Sequence, residues 1–229
     1  MPWTLTVEGG PDFGQENLVR RAATLFMQET GVTLRGHSIL KKNIPIGGGL
    51  GGGSSDAAGM LLICKQLFPA TQGTVLQKAA TMLGSDVPFF LTNGCSWGRG
   101  RGEILLPCTW KLSVKQGFVI VPPFGLSTAE VFAALTASPW DKSNLLTALP
   151  SVSEAQIGFN DLFEPACRVS QRLKSFAKSL QATIPDGQVF MTGSGSSFIW
   201  LSKSERVPND LNDVLESLSA NVLPFTFWP

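Results

Sequence analysis

Six glycines lie within seven residues in the first quarter of the chain, in the segment IPIGGGLGGGSSDAA at residues 44–58. Glycine loses more backbone entropy on folding than any other residue, so such a run indicates a loop whose backbone must approach something closely. Bare N–H groups bind an anion, and the positive end of a helix dipole strengthens that binding. The residue types therefore predict a phosphate-binding loop, with Ser54 or Ser55 at the start of the helix that follows it. Its members are Gly47, Gly48, Gly49, Leu50, Gly51, Gly52 and Gly53.

Other glycine-rich loops fit this segment poorly. A Walker A loop needs Gly-Lys-Ser/Thr at its end, and none occurs here. Gly47, Gly49 and Gly52 satisfy the spacing GxGxxG, but the acidic residue expected about 20 positions later in a dinucleotide site is absent. A flexible linker would not be entered by a proline, Pro45, and left by an amphipathic helix.

Composition excludes several other kinds of chemistry. The chain has 229 residues with one His, His37, and no Tyr, which excludes a multi-His metal site and a tyrosyl acid or nucleophile. Eighteen basic residues face seventeen acidic ones, so no electrostatic feature suggests nucleic acid as a partner. The four cysteines form no CxxC pair and predict reduced thiols, and no apolar run is long enough to predict a membrane span.

The elements that position these residues follow from apolar periodicity and from glycine and proline breaks. Strands and helices mix without a regular βαβ alternation, which predicts an α+β fold. Pro122 and Pro123 mark the predicted boundary between two lobes, residues 1–122 and 123–229. We predict helices at 17–31, 54–68, 75–83, 127–135, 161–180 and 209–222. We predict strands at 1–10, 32–42, 95–107, 117–123, 187–193, 197–202 and 224–228.

The glycine segment closely resembles the PxxxGLGSSAA motif of the GHMP small-molecule kinases. Within that superfamily its form resembles the family of 4-diphosphocytidyl-2-C-methyl-D-erythritol kinases. Further segments resemble motifs of the same family in the same order along the chain. They are ENLVRRAA at 16–23, LGSDVPFF at 83–90, GRGE at 100–103, STAEVF at 127–132, NDLFEPA at 160–166 and MTGSGSSF at 191–198.

The resemblance implies a two-lobed GHMP kinase fold, with a ribosomal S5 domain 2-like N-terminal lobe and a ferredoxin-like C-terminal lobe. It implies ATP-dependent phosphorylation of the 2-hydroxyl of 4-diphosphocytidyl-2-C-methyl-D-erythritol, a step of non-mevalonate isoprenoid synthesis. The implied partners are this small molecule and ATP, with Mg²⁺ carried mainly on the ATP phosphates, and neither nucleic acid nor a membrane. The resemblance implies that the protein is located in the cytoplasm if its source is a bacterium, and in the plastid stroma if its source is a plant or alga.

The same resemblance implies roles for individual residues. Asp86 corresponds to the catalytic aspartate, which accepts or orients the proton of the substrate hydroxyl; without the resemblance, helix capping or an Asx-turn is the ordinary role for such an aspartate. Thr128 falls where the family contacts substrate. The remaining implied contacts are to ATP, from Lys42, Asn17, Gly193 and Gly195. A solvated lysine and a plain N-cap are the alternatives for Lys42 and Asn17, and a structural carboxylate is the interpretation for Asp56.

The chain departs from the family pattern at its start. The PAKxNLxL-type motif, whose lysine neutralises charge and whose surroundings bind the cytidine, does not occur in this sequence. We therefore expect part of the N-terminal lobe to lie outside this chain, leaving an exposed sheet edge. The alternative function that this leaves open is a catalytically impaired remnant or isoform that binds nucleotide or phosphate only.

Overall fold

The computed structural model describes residues 1–92, 94–108, 116–135, 158–184, 188–202, 207 and 209–226. These residues form two compact units. The first comprises Met1–Ile44 and Gly51–Cys108, and the second comprises Pro45–Leu50 together with the described residues beyond Cys108. The chain thus leaves the first unit and returns to it within the glycine loop.

The first unit begins with two parallel strands joined by a helix. Strands β1 (Thr4–Glu8) and β2 (His37–Lys41) pair in register from Thr4 opposite His37 to Glu8 opposite Lys41. Helix α1 (Leu18–Thr30) lies between them in the sequence. Asn17 caps it through its side chain and Gly31 ends it, which confirms both predicted ends.

Two further helices complete the apolar core of the first unit. Helix α2 (Gly52–Leu67) begins two residues before the predicted start, because Gly51 has a left-handed backbone and the next two glycines join the first turn. Helix α3 (Gly73–Leu83) follows it. Small residues on all three helices let them approach closely around larger side chains. The core includes Ala22, Ala23, Phe26, Ala57, Ala58, Leu61, Ala79 and Ala80.

A short 3₁₀ helix and a hairpin end the first unit. The 3₁₀ helix spans Val87–Leu91, with Val87 and Pro88 buried. Strands β3 (Ser96–Arg99) and β4 (Ile104–Pro107) pair antiparallel, which confirms the strand content predicted at 95–107.

The second unit is built on a four-stranded antiparallel sheet with the strand order β6-β7-β5-β8. Its strands are β5 (Gln116–Val121), β6 (Gln188–Met191), β7 (Phe198–Leu201) and β8 (Asn221–Thr226). Strand β5 precedes the predicted lobe boundary at residue 122, but it lies inside this sheet. The reason is its largely buried run of apolar residues, which suits a central strand paired on both sides.

In the described part of the second unit the sheet is accompanied by helices α4 (Thr128–Ala133), α5 (Phe163–Val169), α6 (Gln171–Thr183) and α7 (Asn209–Ser217). The single helix predicted at 161–180 was wrong, since Ser170 is extended and its hydroxyl caps α6 by accepting from the N–H of Leu173. Helix α7 ends earlier than predicted because Ser219 has a positive φ, and β8 then begins at Asn221. In the part of the chain that the structure describes, no helix combines the length and apolarity that crossing a membrane requires.

Candidate active site

The first half of the glycine loop packs within the second unit, against the turn Gly193–Ser197. The N–H of Ser197 donates to the carbonyl of Gly48 at 3.1 Å, and the N–H of Ser196 lies 3.4 Å from the carbonyl of Gly47. The Thr192 hydroxyl donates to the carbonyl of Gly49 at 3.3 Å. The turn Gly193–Ser197, which is the second glycine-serine turn of this chain, therefore donates to carbonyl groups of the loop and so holds the loop's backbone.

Two of these glycines leave no room for a side chain. A Cβ on Gly48 would lie 2.7 Å from the Ser197 hydroxyl oxygen. Gly49 has φ +69°, and its Cβ would lie 2.9 Å from the N of Gly195 as well as against the carbonyl of Thr192. Part of the glycine run is thus required by the contact of one backbone with another, whatever ligand the loop binds.

The second half of the loop forms the start of α2 in the first unit. Gly51 is the N-cap with φ +68°, and it provides no side chain to accept from the first N–H groups. The first N–H groups of a helix have no partner within the helix, and the first turn of α2 carries no acidic residue. The Ser55 hydroxyl donates back to the carbonyl of Gly52 at 2.8 Å. This helix end therefore presents N–H donors and the positive end of a dipole, the arrangement that binds phosphate groups.

Lys42 forms an ion pair with Asp56 across the base of this loop. Lys42 follows β2, and Asp56 lies one turn into α2. The two side chains are 10% and 20% exposed, so the pair is largely removed from water. In this structure the Lys42 amine is held by Asp56, which also gives Asp56 the structural role expected of it.

Asp86 lies at the start of the 3₁₀ helix and is exposed. Its side chain makes no capping hydrogen bond, so the capping role that a lone aspartate ordinarily takes is not used here. The buried residues Val87 and Pro88 fix the backbone immediately after it. A Cβ on Gly102, in the turn of the β3–β4 hairpin, would lie 3.9 Å from Oδ1 of Asp86. One oxygen of the carboxylate thus lies near Gly102, a residue that has no side chain.

Two other predicted site residues have partners within their own units. Asn17 is 6% exposed, and its Oδ1 accepts from the N–H of Val19 at 3.0 Å while its Nδ2 donates to the carbonyl of Asp12 at 2.8 Å. Thr128 begins α4, and its hydroxyl lies 2.9 Å from that of Ser194. Thr128 is therefore brought to the second glycine-serine turn, whereas Asn17 uses Oδ1 to cap α1 and Nδ2 to bind the carbonyl of Asp12.

Sequence reasoning missed a residue that supports the second turn. The Asn160 side-chain amide donates to the carbonyl of Met191 at 2.8 Å and to the carbonyl of Gly193 at 2.9 Å. Its Oδ1 accepts from the N–H of Leu162 at 3.0 Å. The available signal was the NDLFEPA segment, in which an asparagine three residues before the start of a helix predicts an Asx-turn but not its distant carbonyl partners.

Comparisons with known proteins identify first the class and then the family. The sequence profile of the GHMP kinases N terminal domain matches residues 17–94. A homoserine kinase from Cytophaga hutchinsonii superposes with TM-score 0.72 at 14% identity, over 98% of this chain and 81% of that one, which shows a shared fold. The fold is thus the α+β fold of the GHMP kinases.

Relatives of higher sequence identity show which family of GHMP kinases the chain resembles. A 4-diphosphocytidyl-2-C-methyl-D-erythritol kinase of Thermus thermophilus is 36% identical over 215 residues, 92% of this chain and 74% of the relative. The Arabidopsis thaliana chloroplastic kinase of the same name is 36% identical over 211 residues, 87% of this chain and 54% of the relative. A crystal structure of 4-(cytidine 5'-diphospho)-2C-methyl-D-erythritol kinase superposes with TM-score 0.69 at 33% identity, over 98% of this chain and 82% of that one.

The chain therefore belongs to the GHMP kinases and, among them, to the family of 4-diphosphocytidyl-2-C-methyl-D-erythritol kinases. It spans 64% of the Protochlamydia amoebophila relative, to which it is 36% identical over 190 residues, or 82% of this chain. The match to these relatives thus covers about half to three quarters of their own length.

Proposed function

We propose that this chain takes part in ATP-dependent phosphorylation of the 2-hydroxyl group of 4-diphosphocytidyl-2-C-methyl-D-erythritol. The proposal rests on one observation above the others: a chain of this kinase family carries a glycine loop that leads into a helix N-terminus with no side-chain cap. Such an end offers several N–H donors to a polyphosphate without the cost of displacing a cap.

ATP is the proposed phosphoryl donor, held by its phosphates. The N–H groups at the start of α2 and the hydroxyls of Ser54 and Ser55 would hold those phosphates, and the helix dipole offsets part of their charge. Mg²⁺ would come with ATP and neutralise charge on the γ-phosphoryl group as it moves. Further ATP contacts are proposed for the remaining loop residues and for Lys42, Asn17, Gly193 and Gly195. Of these, Lys42 would bind a phosphate only by sharing its charge with Asp56.

Asp86 is the proposed general base. Its exposed carboxylate makes no capping bond and lies in the same unit as the start of α2. An aspartate can accept or orient the proton of an attacking hydroxyl in phosphoryl transfer, where positioning and charge provide most of the catalysis. Thr128 is proposed to contact the same substrate.

The decisive experiment measures ADP release from the purified chain. We expect release to require the cytidylated alcohol, with homoserine and mevalonate inactive as acceptors. Asp86→Asn should lower kcat about 10²–10⁴-fold while ATP still binds, because it removes the base and leaves the phosphate loop intact. The matched control is Asp213→Asn, a change of the same type at an exposed position of α7, which should leave kcat unchanged.

A different outcome would select the other function. If the wild-type chain and the Asp86→Asn variant bind ATP with the same affinity and neither releases ADP, this chain binds nucleotide without turnover. For the location of the reaction we propose the cytoplasm in a bacterium or the plastid stroma in a plant or alga. The rice and Arabidopsis relatives, which are named as chloroplastic, support the second possibility.

A further inference from the structure

Two cysteines face each other at the open end of the β3–β4 hairpin. Cys95 immediately precedes β3 and Cys108 immediately follows β4. The strand register places Ser96 opposite Pro107, and the N–H of Cys108 donates to the carbonyl of Cys95 at 3.0 Å. The two cysteines are thus a directly opposite, hydrogen-bonded pair, for which the Cα atoms lie about 5.5 Å apart.

This geometry suits a covalent link. Disulfides form between Cα atoms about 4.4–6.8 Å apart, and the Cα separation of a directly opposite pair lies within that range. The Cys108 thiol is also near enough to Cys95 to raise the pKa of the Cys95 thiol. Both are partly exposed, whereas Cys64 and Cys167 are buried in separate apolar cores.

We propose that Cys95 and Cys108 form a redox modification site, which closes as an intramolecular disulfide across the end of the β3–β4 hairpin when the protein meets a low-molecular-weight disulfide. The inference goes beyond the proposed kinase function and does not depend on it. Oxidised glutathione is the probe for this class of oxidant.

The reaction balances as two successive exchanges. The Cys108 thiol loses its proton to solvent, and its sulfur attacks one sulfur of the oxidant, breaking that S–S bond and releasing one thiol. The Cys95 sulfur then loses its proton and attacks the Cys108 sulfur, releasing the second thiol. Two protein thiols are oxidised by two electrons in total, and one external disulfide is reduced to two thiols.

The surroundings of Cys95 assign the order of these steps. Burial first, and then the hydrogen bond and charge of Cys108, raise the pKa of Cys95 to about 12, so Cys95 is a poor first nucleophile. Once the Cys108 sulfur is bonded to the external thiol, its hydrogen bond and its charge no longer raise the pKa of Cys95. Cys95 then acts as the resolving cysteine.

The link would act on the part of the first unit that contains Asp86. The hairpin turn between β3 and β4 includes Gly102, which is the glycine that faces the Asp86 carboxylate. A disulfide joins the two strands at their open end and so limits separation of the hairpin. We therefore expect oxidation to slow amide hydrogen exchange in the hairpin and in the segment from Gly84 to Leu91.

The test counts and locates thiols, without any activity measurement. The whole chain is incubated with oxidised glutathione, denatured and alkylated with N-ethylmaleimide, and its mass is then measured by mass spectrometry. The reduced protein has four cysteines to alkylate, and we expect oxidation to leave two, with peptide mapping locating the link at Cys95 and Cys108. Dithiothreitol should restore all four. Four remaining thiols, a stable glutathione adduct on the wild-type chain, or disulfide-linked dimers would each overturn the proposal.

Single variants separate the two roles. Cys95→Ser should accumulate a glutathione adduct at Cys108, because the attacking thiol remains and the resolving thiol is gone. Cys108→Ser should accumulate adduct at Cys95 more slowly, because burial still raises the pKa of the Cys95 thiol in that variant. Cys167→Ala, the control, should form the link as the wild type does. Equal adduct formation by the two serine variants would overturn the assigned order, and unchanged exchange at Gly84–Leu91 would overturn the coupling to the Asp86 segment.

Discussion

At the scale of single residues, the glycines of the loop serve two different purposes. Gly48 and Gly49 lie where a side chain would collide with the Gly193–Ser197 turn. Gly51 instead sets the left-handed backbone from which α2 begins, and its Cβ would lie 2.7 Å from the ring of Phe90. A run that looks uniform in sequence is therefore a packing surface in one half and a helix start in the other.

Gly49→Ala should destabilise the second unit by about 2 kcal/mol or more. The change adds the cost of a non-glycine residue at positive φ to a collision with backbone atoms that cannot move aside. Urea unfolding would measure it. The control is Gly59→Ala in the middle of α2, where no atom lies within 4 Å of the new Cβ. That change should stabilise the protein by about 0.5–1 kcal/mol. Equal effects at the two positions would contradict the role given to Gly49.

Cys64 should make stability fall at alkaline pH. Burial raises the pKa of its thiol to about 11, whereas an unfolded chain loses that proton near pH 8.5. Between these values the folded state holds one proton more than the unfolded state, so the free energy of unfolding decreases as pH rises, by about 3 kcal/mol in total. Stability from this group is complete below about pH 8.5 and is lost as pH rises toward 11.

Unfolding in urea under reducing conditions, across that pH range, tests this prediction. Cys64→Ala should remove its share of the decline, because alanine does not titrate. The variant's cavity cost is the same at every pH and so does not affect the slope. A decline of the same steepness in the variant and the wild type would show that the Cys64 thiol does not cause it.

At the scale of elements, a short segment before α5 holds the second glycine-serine turn in place. The Asn160 amide bridges two carbonyls, one at the end of β6 and one in the turn itself. The glycine-serine turn and the adjacent Thr192 bind the backbone of Gly47–Gly49. Asn160 therefore acts on the glycine loop indirectly, through this turn. It is a positioning residue.

Asn160→Asp should loosen the turn while leaving the start of α5 formed. The carboxylate can still accept from the N–H of Leu162, but it has no donor for the two carbonyls and repels them. We expect faster amide exchange at Gly195 and Ser197 and a KM for ATP raised about tenfold. Asn212→Asp, on an exposed face of α7, is the matched control. Unchanged exchange in the turn would refute this role for Asn160.

At the scale of the whole molecule, each compact unit has an apolar core of its own, and among the described residues none belongs to both cores. Leu61 belongs to the first and Leu173 to the second, and both are completely buried. The described chain is in this respect a pair of domains, in which stability is a local property.

Leu61→Ala and Leu173→Ala should each cost about 2–5 kcal/mol, as expected for a buried leucine replaced by a smaller residue. The loss should appear as reduced hydrogen-exchange protection in α1–α3 for the first variant and in β5–β7 and α6 for the second. Leu62→Ala, at the neighbouring but 41% exposed position of α2, should cost much less. Uniform loss of protection along the chain from either buried variant would argue against two local cores.

Much of this protein followed from short stretches of its sequence. Capping and helix-breaking residues mark the ends of α1 at Asn17 and Gly31. Apolar runs mark the helix after the glycine run and the strands of the four-stranded sheet. These signals act between residues within a few positions of each other, so the chain encodes them locally. The motifs were also sufficient to indicate the kinase family, because their residues and order are specific.

Other features were decided by the tertiary structure alone. The Thr192 hydroxyl that binds Gly49 is 143 residues away in sequence, and Asn160 lies 33 residues from Gly193. The Lys42–Asp56 ion pair and the facing thiols of Cys95 and Cys108 likewise join separate elements. No local pattern specifies such partners, because they meet only once strands pair and helices pack. Residue types thus determined what chemistry was available, and long-range packing decided which groups meet.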